Sequence, residues 1–354
     1  MSERIPRRPS AIAILASIAG VLVAVVLGFL TFGAQATAGP DGVPLAVAAP
    51  ESGPLRAAAE QVAGHGGEQV SWQVTTPEQG RVLLGDKEVY GVLELSGGQQ
   101  GPTATVVVSG AINPSGTQVA QQVLTGAAQS LTAAMGQGAA APVQVETLHP
   151  TSSVVRAAPL GLSALAWVGC LVAGAVLTLL AARGSVRPGA GARLLQISGV
   201  TVLMTAVLAG FLALWDSSLP LGWDVLGFLA LTAAGFAALQ AGLLRLLGLR
   251  AMALLGPLYL VAPAVAGQVP EMLDPAYRTL LWSWTPFRFS TEGLRSLLAG
   301  APDAPDVATG VWVLAGMLAV GLMIALWPTR RTGTSDPTGS ERTTASAARE
   351  SAVS

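Results

Sequence analysis

Six uninterrupted apolar runs constrain this chain more than anything else in it. They are Ala11–Phe32, Leu160–Ala182, Leu194–Trp215, Trp223–Leu244, Ala251–Val269 and Val307–Trp327. A helix needs about 20 mostly apolar residues to cross the hydrocarbon core of a bilayer. Only helices and closed barrels satisfy their backbone groups in lipid, and barrel strands alternate every second residue. Runs without alternation therefore predict helices. Composition agrees: charged residues are 11% of the 354, against about 25% in a soluble domain, which argues against a wholly soluble protein. The fifth run is the shortest and carries Pro257 and Pro263, whose missing N–H groups predict a kink.

Basic residues set the orientation by the positive-inside rule. Arg4, Arg7 and Arg8 precede the first run, and Arg183, Arg187 and Arg193 lie between the second and third. Arg245 and Arg250 bracket the turn from the fourth to the fifth, and Arg330, Arg331, Arg342 and Arg349 follow the sixth. The short loop Asp216–Gly222 has none. This pattern predicts a multi-pass protein of the cell membrane with both termini cytoplasmic; Arg278, Arg288 and Arg295 in the last outer loop dissent mildly. The first run, followed by Ala34-Gln35-Ala36, also fits a signal peptide with a cleavage site. Its length exceeds the usual apolar region of about 7–15 residues and favours an uncleaved anchor.

Between the first and second runs the character of the chain changes. Residues 34–156 hold nine acidic side chains, and their pattern alternates between strands and helices. Val43–Ala49, Val70–Val74, Val89–Leu95, Thr103–Val108 and Val143–Leu148 read as strands. Pro54–Val62, Pro77–Leu84 and Pro114–Met135 read as helices. Prolines stand in their first turns, and Thr76 and Asn113 are positioned as N-caps. The order βαβαββαβ predicts an α/β domain with a mixed sheet. The expected fold is thus a membrane all-α bundle of six transmembrane helices, with a mixed α/β extracytoplasmic domain inserted between helices 1 and 2. Residues 1–33 form the cytoplasmic N-terminus and first helix, 34–156 the outer domain, and 157–327 the five-helix region with its outer loop 268–306. Residues 328–354, rich in Ser, Thr and Ala without apolar periodicity, read as a disordered cytoplasmic tail.

Several function classes are excluded or weakened. A net charge of −1 offers nothing to nucleic acid. A lone cysteine, Cys170, forms no intrachain disulfide and no cysteine metal cluster. His65 and His149 carry no spaced ligand motif, and no catalytic set, metal site or cofactor site stands out. Lys87 is the only lysine beside 18 arginines, a bias attributable to codons; Asp86-Lys87-Glu88 reads as a solvated turn. Trp72 and Tyr90 at strand positions read as core.

Three stretches carry a resemblance to a known family. VPLAVAAP follows the first run, EQGRVLLGDKEVYGVLEL spans a small helix, a turn and a strand, and WSWTPFRFSTEGLRSLLAG precedes the last run. With one anchor, an outer α/β domain and five further spans, the chain resembles the permease subunits of type-2 ABC exporters, especially the phage-infection-protein-like membrane proteins. The resemblance covers about residues 10–328. It implies a half-transporter that pairs with a second copy as a homodimer and is driven by a separate ATP-binding subunit. No GxxxxGK[ST] loop is present, so this chain carries no P-loop of its own. The resemblance places the coupling loop at Arg183, Arg187 and Arg193, although Pro188 and three glycines there make a poor helix.

The spans contain essentially no ionisable residue at mid-depth, which argues against ion coupling and suits an amphipathic or lipid-like cargo. Gly169, Gly174 and Ala181, or Gly199, Ala206 and Gly210, are spaced for close helix packing. The last outer loop is the most distinctive. Trp282, Trp284, Pro286, Arg288, Glu292 and Arg295 mark an interfacial or re-entrant segment with a part in anchoring or gating. Ser290 is placed to cap a short helix ended by Gly300, and Glu292 and Arg295 to pair. The expected function is an exporter permease that contacts membrane lipids. The alternative is a non-transporting envelope scaffold or receptor whose outer domain binds a protein or peptide. No residue set supports an enzyme.

Overall fold

The computed structural model describes residues 9–65, 67–98, 101–134, 143–186, 188–219 and 221–328. The expected tail, the arginines before the first helix and Arg187 lie outside the described residues. The protein is mostly helical, with one small mixed sheet. Helix α1 (Pro9–Gly28) runs through a π turn (Phe29–Gly33) into the short α2 (Ala34–Ala36). The sheet domain follows as β1 (Val43–Ala48), α3 (Pro54–Gly64), β2 (Val70–Thr75), α4 (Pro77–Gly85), β3 (Val92–Gly98), β4 (Gly101–Ser109), α5 (Pro114–Ala134) and β5 (Gln144–Leu148). Then come α6 (Ser153–Ala182), α7 (Ala190–Trp215), α8 (Trp223–Leu247) and α9 (Met252–Ala266). The short α10 (Pro275–Tyr277), a π turn (Arg278–Trp282), α11 (Pro286–Leu298) and α12 (Pro305–Leu326) complete the described chain.

Five helical segments are long and apolar enough to cross a membrane: Ser17–Ala36, Ser153–Ala182, Ala190–Trp215, Trp223–Ala266 and Pro305–Leu326. The expectation of six separate runs is therefore met only in part. The fourth and fifth form one helical stretch of 44 residues, turned at Gly248, which sits at φ +59°. Beyond that turn α9 has 15 residues, about 22 Å at ~1.5 Å per residue. That is short of a hydrocarbon core of roughly 30 Å. Ala34, in the motif that resembles a cleavage site, lies within a helix and is buried with Val261, Val265 and Leu273.

The sheet has the order β2-β1-β3-β4-β5. β1 pairs parallel with β2 and β3, β3 and β4 form an antiparallel hairpin, and β5 pairs parallel with β4. Leu45, Val47, Leu93, Leu95, Val106 and Leu124 fill its core. Thr76 accepts a hydrogen bond from the Gln79 amide and Asn113 from that of Ser115, so both caps form. Arg81 on α4 clasps Glu94 on β3 at 2.7 Å and Glu146 on β5 at 2.6 Å. Its hydrogen bonds hold the Glu146 carboxyl below the usual range, against the opposing pull of desolvation.

Helix α8 runs through the centre of the bundle, against α6, α7, α11 and α12. Its closest partner is α12. Gly235 faces the Leu314 carbonyl, Gly242 faces that of Gly321, and Gly321 lies against the Ala238–Leu239 peptide. A Cβ at Gly321 would come within 3.0 Å of that backbone, so two helices touch where only hydrogen atoms fit. The glycines expected to pack helices divide: Gly169 and Gly174 meet Met204 and Leu244, whereas Gly199 and Gly210 have nothing within 4 Å. Arg245, at the end of α8, donates to the carbonyls of Ile324, Ala325 and Trp327. It thereby satisfies acceptors left open at the C-terminus of α12. Large side chains such as Val21, Phe29, Leu203 and Trp312 remain exposed on the outside of the helices.

Candidate functional site

The most unusual helix is α11. Proline at its first position pre-sets the helical φ, and Thr285 precedes it without a side-chain cap. Ser290 lies inside this helix, buried, and donates to the Phe287 carbonyl, so the expected cap at Ser290 is corrected to a start four residues earlier. Nearly the whole circumference of α11 is covered by α6, α8, α9 and α12. Phe287 packs on Trp167 at 5.1 Å and on Phe236 at 5.8 Å between ring centroids. Those partners lie near the middle of α6 and α8. Gly293, further along α11, instead meets Phe228 in the second turn of α8. The first turn of α11 therefore lies against the middle of α6 and α8, and its later turns lie toward the start of α8.

Where α11 emerges it meets the sheet domain through buried polar contacts. Glu292 accepts from Arg295 at 2.5 Å and from the Asn113 amide at 3.0 Å. Lys87 pairs with Asp306 at 2.5 Å and donates to Ser296 Oγ at 2.7 Å. Tyr90 donates to Glu271 at 2.6 Å, and the Val269 amide donates to Ser115 Oγ at 3.1 Å. The Arg295 side chain is 4% exposed and that of Lys87 12%. The expected solvated turn at Lys87 is thus overturned: the lysine adopts φ +61° and reaches from the α4–β3 turn to α11 and α12. Glu292 and Arg295 lie on α11, outside the five long apolar helical segments.

The electrostatics follow from burial opposed by partners. Burial pushes the Glu292 carboxyl up, but Arg295 and Lys87 outweigh it and hold the group below its ordinary range. Burial, reinforced by Glu271, pushes the Tyr90 hydroxyl up. Arg288 makes no ion pair among the described residues; its guanidinium lies 3.7 Å from the Trp282 ring centre and 4.3 Å from that of Phe289. Burial lowers its pKa, against Asp306 and Glu292. Trp282 is half-buried and donates to the Gln268 carbonyl at 3.3 Å, while Trp284 is exposed and bonds only within its own turn. A cleft of about 140 Å³, lined by Lys87, Tyr90, Asn113, Trp282, Glu292 and Asp306 among others, lies at this junction.

The structure thus brings together Trp282, Pro286, Arg288, Glu292 and Arg295. It leaves Trp284 on the outside and sets Arg183 and Arg193 apart, at the far ends of α6 and α7. Arg183 is exposed, Arg193 half-buried, and no helix lies between α6 and α7 among the described residues. Lys87, Asn113, Glu271, Ser296 and Asp306 belong to the site without having been singled out for it. The one available signal was the single lysine. Among the described residues no group of three or more His, Cys, Asp or Glu side chains is placed to hold a metal ion. The arrangement is suited to transmitting movement between sheet and bundle, since the Lys87–Asp306 ion pair and the Asn113–Glu292 hydrogen bond fix one on the other, while the Arg295–Glu292 pair lies within α11. Neither a protein-family model, nor a curated protein, nor a solved structure matches this chain.

Proposed function

We propose that this chain is an integral permease-like subunit of the cell membrane, part of an ATP-driven exporter of amphipathic or lipid-like cargo. In this reading both termini are cytoplasmic, α8 makes the fourth of six crossings, residues 248–269 with α9 at their centre make the fifth, and the sheet domain lies outside. A second copy completes the pathway and a separate ATP-binding chain drives it. One observation carries the reading: the sheet domain is bound through Lys87 and Asn113 to α11 and α12, and through Tyr90 to Glu271 between α9 and α10. A domain merely anchored by the helices needs no such coupling, whereas a transporter needs its outer domain to follow its helices. The apolar packing of α6, α7, α8 and α12 leaves no charged route for ions and fits greasy cargo.

The test is purification from native membranes in mild detergent, followed by deletion of the gene. A co-purifying ATPase whose hydrolysis rises with the permease, together with altered lipid or drug export in the deletion strain, supports the proposal. An isolated chain with no ATPase and unchanged export overturns it. The scaffold or receptor reading is favoured by a separate observation: the residues described between α6 and α7 contain no helix on which an ATPase would dock. Under that reading residues 34–156 bind an envelope protein or peptide regardless of cargo.

A further inference from the structure

A second concavity lies between the sheet and the first turn of α6, on the other side of the β4–α5 loop from the junction. Its volume is about 430 Å³, within the roughly 300–1,000 Å³ typical of small-molecule sites. It opens at the carboxyl ends of β4 and β5, the parallel pair joined through α5. That is the end of parallel strands at which α/β sheets usually receive ligands. Here it is also the end nearest the bundle, because β5 leads directly into α6.

The lining has a definite chemistry. It contains no acidic side chain, and its one cation is Arg156. The Arg156 guanidinium makes no hydrogen bond or ion pair among the described residues, and the side chains of Gln118, Gln121 and Thr151 are likewise without partners there. Ile112 adds an apolar wall. Exposed donors taken singly are merely solvated; here a guanidinium, two amides and a hydroxyl converge on one hollow with no carboxylate to compete. Such a set fits an anion with several acceptor oxygens. Arg156 stands just ahead of the long apolar stretch of α6, the height at which arginines meet lipid headgroups.

We infer that this crevice binds the phosphate-bearing headgroup of an anionic amphipath. Arg156 contacts the phosphate, and Gln118, Gln121 and Thr151 donate to its remaining oxygens. The inference rests on the proposed reading that α6 crosses a membrane, and it names the class of cargo or lipid which that reading leaves open. Ile112 lines both this crevice and the cleft at the junction. The next residue, Asn113, holds Glu292, so headgroup binding and the position of α11 meet in one loop.

The test uses the full chain in nanodiscs of phosphatidylcholine, with phosphatidylglycerol added and the retained lipid read by native mass spectrometry. The wild type is expected to retain phosphatidylglycerol over phosphatidylcholine. Arg156→Gln should weaken that retention at least about tenfold, as loss of one charged hydrogen-bonding partner implies. Gln121→Leu should weaken it about threefold. Arg250→Gln, at the opposite end of the bundle, should leave it unchanged and so separates the crevice from general surface charge. Displacement by inorganic phosphate would identify the phosphate group alone as sufficient. No displacement, with the variant losses retained, would identify the intact headgroup; both support the site. Unchanged retention in Arg156→Gln and Gln121→Leu, or equal losses in Arg250→Gln, overturns it. A chain that stays dispersed without detergent overturns the membrane reading itself, whatever lipid it retains.

Discussion

The contact of α8 with α12 and the contact of the sheet domain with α11 and α12 are opposite in kind. Between α8 and α12 the surfaces meet at Gly235, Gly242 and Gly321, backbone against backbone, with no side-chain charge involved. Between the sheet domain and α11 and α12 the surfaces meet through Lys87, Asn113, Glu292, Ser296 and Asp306, with Arg295 bracing Glu292 from within α11. The first contact gains from dispersion and shape alone, since lipid is as apolar as the helices. The second exchanges hydration for one largely buried ion pair and for hydrogen bonds to a carboxylate braced by Arg295, contacts that add little net stability when intact and cost much when half removed. Apolar packing of this sort tolerates sliding poorly but ignores charge and pH. A polar junction specifies one arrangement and gives way once a single partner is lost. The molecule has the first kind where helices pack together and the second where the sheet domain meets α11 and α12.

The largest expected effect removes the cation that, from within α11, holds Glu292 in place for Asn113. Arg295→Met leaves the buried Glu292 carboxylate without its nearest cation, at a cost of about 3–5 kcal/mol. Thermal unfolding in detergent measures it. The double variant Arg295→Met with Glu292→Gln should recover most of the loss, because no uncompensated charge remains. A double variant as unstable as the single would show that shape, not charge, governs this contact, and the contrast drawn above would fail. Next in size is Gly321→Ala, which drives a methyl group into the Ala238–Leu239 peptide and should cost roughly 1–3 kcal/mol. Its cost should be the same at every salt concentration and pH, measured on the same unfolding curves.

The unequal legibility of the two contacts in sequence has a physical cause. The sheet domain announces itself locally: alternation marks its strands, and Pro54, Pro77, Pro114, Thr76 and Asn113 mark where its helices begin. Three strand starts differ from the expected ones, that of β3 the most. Val89 and Tyr90 precede β3, because their amides bond to the Leu83 and Pro44 carbonyls and turn Tyr90 toward Glu271. Apolar runs likewise reveal helices, though not that Gly248 joins two of them into one stretch. The junction is different. Lys87 and Asp306 are 219 residues apart and Asn113 and Glu292 are 179 apart, and charged side chains in turns are ordinarily solvated. In α11 the small polar residues Ser290, Thr291 and Ser296 suggest an exposed face, yet they are buried because small side chains let neighbouring helices close around them.

Lys87 gives a finer test of the polar contact. Lys87→Met should loosen the docking of the α4–β3 turn by about 1–2 kcal/mol, since it removes a charged donor from Asp306, which is itself partly exposed. Lys87→Arg should restore little, because a wider planar group must fit where a point-like ammonium bonds both Ser296 and Asp306. Faster hydrogen exchange in that turn and in α11, with α8 and α12 unaffected, is the expected pattern. Exchange that quickens across the whole bundle would mean the two contacts are not separable.

The smallest effect comes from the same chemistry placed in solvent. Arg81 and Glu146 are linked at 2.6 Å, shorter than most ion pairs, yet their side chains are 39% and 40% exposed. Exposure should hold their contribution below about 1 kcal/mol. The Glu146 carboxyl is held below its ordinary value in the folded protein, by hydrogen bonds from Arg81 that outweigh desolvation. Its stabilisation is therefore present above the unfolded value, about 4.3, and disappears as pH falls from there through the lower folded value. Glu146→Gln, which leaves the Arg81–Glu94 pair in place, should flatten that acid limb slightly and change little at neutral pH beyond the small pair energy. Should Glu146→Gln instead destabilise the protein as much as Arg295→Met, burial would not be what separates strong from weak ion pairs here, and the clasp on the sheet would rank with the junction.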